Sequence, residues 1–198
     1  RYTILSALNQ MRARLTEHDN FLLYYAGHGE LDRANARGHW LPVDAEPEST
    51  ANWIANEAVT DVLNAMSAKH VMVIADSCYS GTLARGALTT SIEGGRSDEA
   101  RNRWLKLMAD TRSRTVMTSG GVKPVLDSGG GGHSIFARAL LEILRTNAEV
   151  LEGPRLYQQV AQQVKDKAST LNVEQDPQYA PIKFAGDLGA PFFFVPVI

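Results

Sequence analysis

Residues 71–81 read VMVIADSCYSG, and no other stretch narrows the architecture as much. Five uncharged residues rich in Val and Ile predict a strand buried on both faces, as in a parallel sheet. The run stops at Asp76, and the only cysteine of the chain, Cys78, follows at once among small residues. Open α/β sheets bind ligands beyond the carboxyl ends of their strands, so Cys78 falls where chemistry is expected. A second apolar run, residues 21–30 (FLLYYAGHGE), ends similarly in Gly27-His28-Gly29, a histidine between two residues that free the backbone to bend. Were the two strands adjacent and parallel, His28 and Cys78 would leave the same edge of the sheet.

The remaining pattern alternates helix and strand. A helix over residues 3–16 leads into the strand at 21–26, and residues 30–55 read as a long polar connection with one extended piece at 40–43 (WLPV). Val59, Val62, Leu63 and Met66 recur at helical spacing. Residues 82–97 show no periodicity. Ser97 is placed to cap a helix with Asp98 and Glu99 in its first turn, and with Ala100, Trp104, Leu107 and Met108 as its buried face. A short strand is expected at 114–118. Ser134 can cap a helix with the stripe Phe136, Leu140, Ile143 and Leu144, and Pro154 can open a last helix burying Leu156, Val160 and Val164. Residues 192–198 (FFFVPVI) read as a final strand, with Pro196 on an edge or beyond the pairing. This order predicts an α/β three-layer sandwich around a mainly parallel central sheet.

Composition excludes several classes. At 198 residues, 44% apolar and 21% charged, the chain fits one soluble globular domain. A formal charge of −2 argues against nucleic-acid and anionic-membrane partners. One cysteine rules out a disulfide framework and favours a reducing cytoplasm. The chain opens Arg1-Tyr2-Thr3 with helical spacing already running through Ile4, Leu8 and Met11, which suggests a piece of a longer protein entered near a helix start.

Cys78 as a nucleophile needs a base, since the thiolate is the reactive form. His28 can share that proton near neutral pH and later pass one to a leaving amine. Backbone N–H groups of Gly29 and Cys78 are natural donors to the oxyanion formed on attack. Against this stands the commoner fate of a lone cysteine, an inert buried side chain. The conjunction favours chemistry: both residues follow core strands, both sit in small-residue loops, and fifty positions separate them. A serine hydrolase is excluded for want of a G-x-S-x-G elbow.

YYAGHG at residues 24–29 and DSCYSG at 76–81 resemble the histidine and cysteine motifs of caspase-like peptidases, closest to the bacterial relatives of metacaspases called orthocaspases. The similarity continues through TSGG (118–121), HSIF (133–136) and the terminal FFFV. The resemblance implies a caspase-like (caspase-haemoglobinase) fold in a single domain, His28 and Cys78 as catalytic dyad, and Gly29 with Cys78 as oxyanion hole. It implies Asp76, two positions before the nucleophile, as the floor of a pocket for Arg or Lys, with Ser119 and Gly120 on its wall. For Asp76 the competing role is capping the following turn, and for Ser119 and Gly120 an ordinary strand-end turn. It further implies a large-subunit-like region 1–81, a linker of about 82–97 and a small-subunit-like region 98–198, with self-cleavage after Arg85 or Arg96. The family's first strand has no counterpart here. Only Glu30 and Asp32 follow the histidine motif where calcium-dependent members resemble one another in a dense acidic run, so no cofactor is expected. The expected partners are peptides or proteins with a basic residue before the cleaved bond, and further domains of a parent chain. The alternative is a catalytically silent caspase-like module for recognition or assembly.

Overall fold

The computed structural model describes residues 1–77, 80–83, 97–120 and 132–197. Helix α1 (Tyr2–Arg14) delivers the chain to strand β1 (Asn20–Ala26), and β2 (His28–Asp32), β3 (Arg37–Leu41) and β4 (Ile54–Ala55) follow. Next come α2 (Asn56–Asn64), β5 (His70–Asp76), a 3-10 turn at Ser80–Leu83, α3 (Asp98–Asp110), β6 (Ser113–Thr118) and α4 (Ile135–Thr146). The described chain closes through β7 (Leu151–Glu152), α5 (Gly153–Thr170), β8 (Gln178–Pro181) and β9 (Phe193–Phe194).

The central sheet runs β1-β5-β6-β8, parallel except for β8. Side chains alternate across a strand, and β5 feeds two cores by that alternation. Val71, Val73 and Ala75 pack with Leu8 of α1 and with Val59 and Leu63 of α2. Met72 and Ile74 pack on the other face with Phe136 and Leu140 of α4 and with Leu156, Val160 and Val164 of α5. The fold is therefore the expected helix–sheet–helix sandwich, with the uncharged run of β5 at its centre. Ser97 and Ser134 do cap α3 and α4, accepting from the backbone N–H of Ala100 and Ala137 respectively.

Three elements differ from the sequence reading. Residues 30–55 are not a plain connection: β2, β3 and β4 form a separate antiparallel sheet. Its strands are short and mostly polar, so no period-2 signal marks them. The final strand expected at 192–198 is present but shorter: among the described residues it is Phe193–Phe194, which pairs with Leu151–Glu152 outside the central sheet. The antiparallel edge is instead β8, whose flanking Pro177 and closing Pro181 weaken its signature as a strand. Helix α3 buries none of its residues; Leu107 is 62% exposed, and the Trp104 ring meets that of Phe193 edge to face.

A guanidinium is enclosed in the core. Arg114 of β6 is fully buried, and its guanidinium donates to the carbonyls of Leu63, Met66, Ala68, Lys69 and Ser113 at 2.7–3.2 Å. Four of these oxygens belong to residues 63–69, from the last turn of α2 to the start of β5, where a helix end leaves carbonyls short of donors; those of Leu63 and Lys69 also accept from the N–H groups of Met66 and Ser113.

Candidate active site at the carboxyl edge of the sheet

Strand register decides which residues share this edge. β1 and β5 pair in parallel from Asn20 with His70 to Ala26 with Asp76, and β5 pairs with β6 as far as Ala75 with Thr118. Beyond the strands, the Gly27 N–H donates to the Asp76 carbonyl at 3.4 Å and the Ser119 N–H to the Ala75 carbonyl at 3.0 Å. His28 thus follows Ala26 by two positions, as Cys78 follows its partner Asp76 in sequence. The side-by-side parallel arrangement on which the pairing of His28 with Cys78 depends is present. Cys78 itself, Arg85 and Arg96 lie outside the described residues.

His28 opens β2 opposite Leu41, with its side chain exposed. Its carbonyl accepts a hydrogen bond from the Tyr25 hydroxyl at 2.8 Å. The Tyr25 ring lies flat on Trp40, with centroids 4.1 Å apart and planes 5° from parallel. Burial pushes the Tyr25 phenol up to about 12, so it stays a donor at neutral pH. Gly27 makes room for it: a Cβ there would come within 2.8 Å of the Tyr25 hydroxyl. Gly29 is buried opposite Trp40. Tyr25 and Trp40 are supports that sequence reasoning missed, because the stacking joins two different sheets. Tyr25→Phe should lower stability by about 1 kcal/mol, the worth of one net hydrogen bond. It should also lower kcat on a peptide substrate several-fold, by about 3–10 times, with KM little changed. Parallel melting and steady-state kinetics check this; an unchanged kcat would show that the His28 backbone needs no such anchor.

Asp76, half-buried, is gripped from two sides. Its Oδ2 accepts from the Ser134 hydroxyl at 2.5 Å and from the Tyr24 hydroxyl at 3.4 Å. Ser134 is at the same time the cap of α4, accepting from the Ala137 N–H at 2.8 Å. Burial, and then the charge of the adjoining Asp76, push the Tyr24 phenol up to about 12. Ser134 was legible as a helix cap but not as a partner of Asp76, since 58 positions separate them.

The chain leaving the reactive loop is also fastened. Leu83 is buried in the core, its carbonyl accepts from the Lys183 N–H at 3.2 Å, and the Thr82 hydroxyl accepts from Asn56 Nδ2 at 2.6 Å. Thr82 and Asn56 fill the space that a side chain on Gly38 would need. Thr82 and Leu83, at the start of the expected linker, are thus packed rather than loose.

Ser119 is fully buried beyond the end of β6, and its carbonyl accepts from Gln175 Nε2 at 2.9 Å. The Gly120 carbonyl accepts from the Thr118 hydroxyl at 2.9 Å. Both oxygens of Asp32 are spent on the turn between β2 and β3, accepting from the Ala34 N–H and from Asn35 Nδ2. No cluster of three or more His, Cys, Asp or Glu side chains suited to a metal ion occurs among the described residues. No helix among them is long and apolar enough to cross a membrane.

Comparison with known proteins bears on the fold and the family. No curated protein matches the sequence. Among solved structures the chain is similar to protein GSU0716 from Geobacter sulfurreducens, at 16% identity and a TM-score of 0.52, over 90% of this chain and 72% of that one. At that identity the likeness concerns the fold alone. A family model described as the caspase domain matches residues 1–187. With His28 and Asp76 set at one edge of a caspase-type sheet, and that match spanning nearly the whole sequence, the chain belongs to the caspase-domain family of cysteine peptidases.

Proposed function

We propose that this domain is a cysteine endopeptidase of the metacaspase or orthocaspase type, using a Cys78–His28 dyad to cleave after Arg and, second, Lys. The His28 imidazole takes the Cys78 thiol proton, and the thiolate adds to the carbonyl of the scissile peptide. The oxyanion so formed accepts from the backbone N–H groups of Gly29 and Cys78. Imidazolium His28 then protonates the departing amine, leaving a thioester on Cys78. Water, deprotonated by His28, attacks the thioester and releases the acid together with the free enzyme.

The single observation that supports this reading best is the Asp76 carboxylate, held by Ser134 and Tyr24 at the edge from which His28 emerges. A carboxylate oriented before the substrate arrives suits a guanidinium, which it can meet with charge-assisted and bidentate bonds. Peptides differing only in the residue before the cleaved bond test it. Arg should be fastest, Lys second and Asp negligible, with Cys78→Ala inactive on all three. Asp76→Asn should lower kcat/KM on the arginyl peptide about a hundredfold, the worth of a desolvated charged hydrogen bond. Faster cleavage after Asp than after Arg refutes the pocket. A wild type no more active than Cys78→Ala, and inert to a peptide carrying an arginyl electrophile, would leave the recognition module instead.

A further inference from the structure

We propose that Gln175 and the Ser119 hydroxyl form the uncharged wall of the basic-residue pocket and set its preference for arginine over lysine; this rests on the peptidase reading above. Gln175 reaches the site because β8 alone runs antiparallel. Its entry end, Gln178, pairs with Thr118 at the edge where the parallel strands run out, and Gln175 lies three positions before it. The segment is pinned there by the Tyr157 hydroxyl donating to the Pro177 carbonyl at 3.2 Å and by Lys165 pairing with Asp176 at 2.9 Å.

The amide has one orientation. Nε2 must face the Ser119 carbonyl, to which it donates, so Oε1 is the free acceptor. Gln175 is only 5% exposed, and Oε1 has no partner among the described residues. The Ser119 hydroxyl is likewise buried and without a partner among them. Ser119 adjoins Asp76 through its backbone bond to Ala75. Buried polar atoms are nearly always satisfied, and one left bare costs stability. Eight other buried polar atoms among the described residues also lack partners, among them the hydroxyls of Ser113, Thr115 and Tyr179 in the central sheet; Ser119 and Gln175 are the two beyond the strand ends at this edge.

A guanidinium explains the pair. It carries five N–H donors in a planar fork, and a carboxylate takes two of them in a bidentate contact. The remaining donors need neutral acceptors, and Oε1 of Gln175 and Oγ of Ser119 are two such atoms at the sheet edge where Asp76 ends β5. A lysine ammonium is a compact point charge with three donors and gains less from acceptors spread around a plane.

The test compares wild type, Gln175→Met and Ser119→Ala on two peptides that differ only in Arg or Lys before the cleaved bond. Ser119→Ala keeps every backbone bond of that residue. Each variant should lose about tenfold in kcat/KM on the arginyl peptide and less than about threefold on the lysyl one, as expected for one lost hydrogen bond to a charged group. Equal losses on both peptides would mean that Gln175 is only a strut for Ser119, and unchanged ratios in both variants would remove the pocket wall; either overturns the proposal. Should circular dichroism show Gln175→Met unfolded, the ratio measured on Ser119→Ala decides. A wild type that cleaves neither peptide, like Cys78→Ala, overturns the peptidase reading itself and the proposal with it.

Discussion

His28→Ala should lower kcat/KM on an arginyl peptide by between about a hundredfold and ten-thousandfold, the usual span for losing a positioned general acid–base group. The same change should leave stability within about 0.5 kcal/mol, because an exposed side chain away from packing contributes little to folding. That separation follows from the way the residue is held. The backbone of His28 is fixed by the Tyr25 hydroxyl and by β3, while its imidazole faces outward at the edge shared with Asp76. Activity with a small thiol-reactive probe should fall as well, since a thiol without its base stays protonated at neutral pH. Kinetics beside thermal melting distinguish the outcomes. A variant with full activity would remove the dyad, and one that melts far below wild type would make His28 a structural residue.

Arg114→Met should cost at least about 4 kcal/mol of folding stability. The side chain satisfies five backbone carbonyls in a region closed to water. Each buried acceptor left bare costs roughly 1–3 kcal/mol, and the Leu63 and Lys69 carbonyls, which keep a backbone N–H donor, bring the sum below the simple total. Domains of this kind are stable by only about 5–15 kcal/mol, so the loss approaches the whole margin. Burial lowers the guanidinium pKa to about 10, which still leaves it charged at neutral pH. Asp187 accepts from the Arg114 N–H at 2.7 Å and sets a carboxylate nearby. Arg114→Lys should be intermediate, because three donors on a flexible stem cannot reach five oxygens. Urea unfolding midpoints measure both; a loss under about 1 kcal/mol for the methionine variant would show that those carbonyls find other donors.

The same comparison of local and distant causes explains what could be read in advance. β5 was legible because burial on both faces leaves a run of apolar residues with no alternation to decipher. α4 and α5 were legible because their stripes repeat at helical spacing and their starts carry Ser134 and Pro154, which act within one turn. Of β2 to β4 only the piece at 40–43 was marked, because the strands are too short to show a period, and it is burial of Trp40 and Ile54 in the core that anchors them. α3 misled because an apolar stripe states what a helix can bury, whereas burial itself needs a neighbour to cover it.

For the candidate site, residue types and their spacing singled out His28 and Cys78, and the resemblance to caspase-like peptidases added Asp76. Their chemistry is intrinsic to an imidazole, a thiol and a carboxylate, and apolar strands just upstream mark where each is delivered. The partners that orient them were decided only by tertiary structure. Ser134 reaches Asp76 across 58 positions, Tyr25 meets Trp40 between sheets, and Gln175 meets the Ser119 carbonyl because the last strand of the central sheet runs backwards. A linear pattern carries the periodicity of each element and the reactivity of each side chain, but the register and direction in which elements meet are settled by packing of the whole molecule.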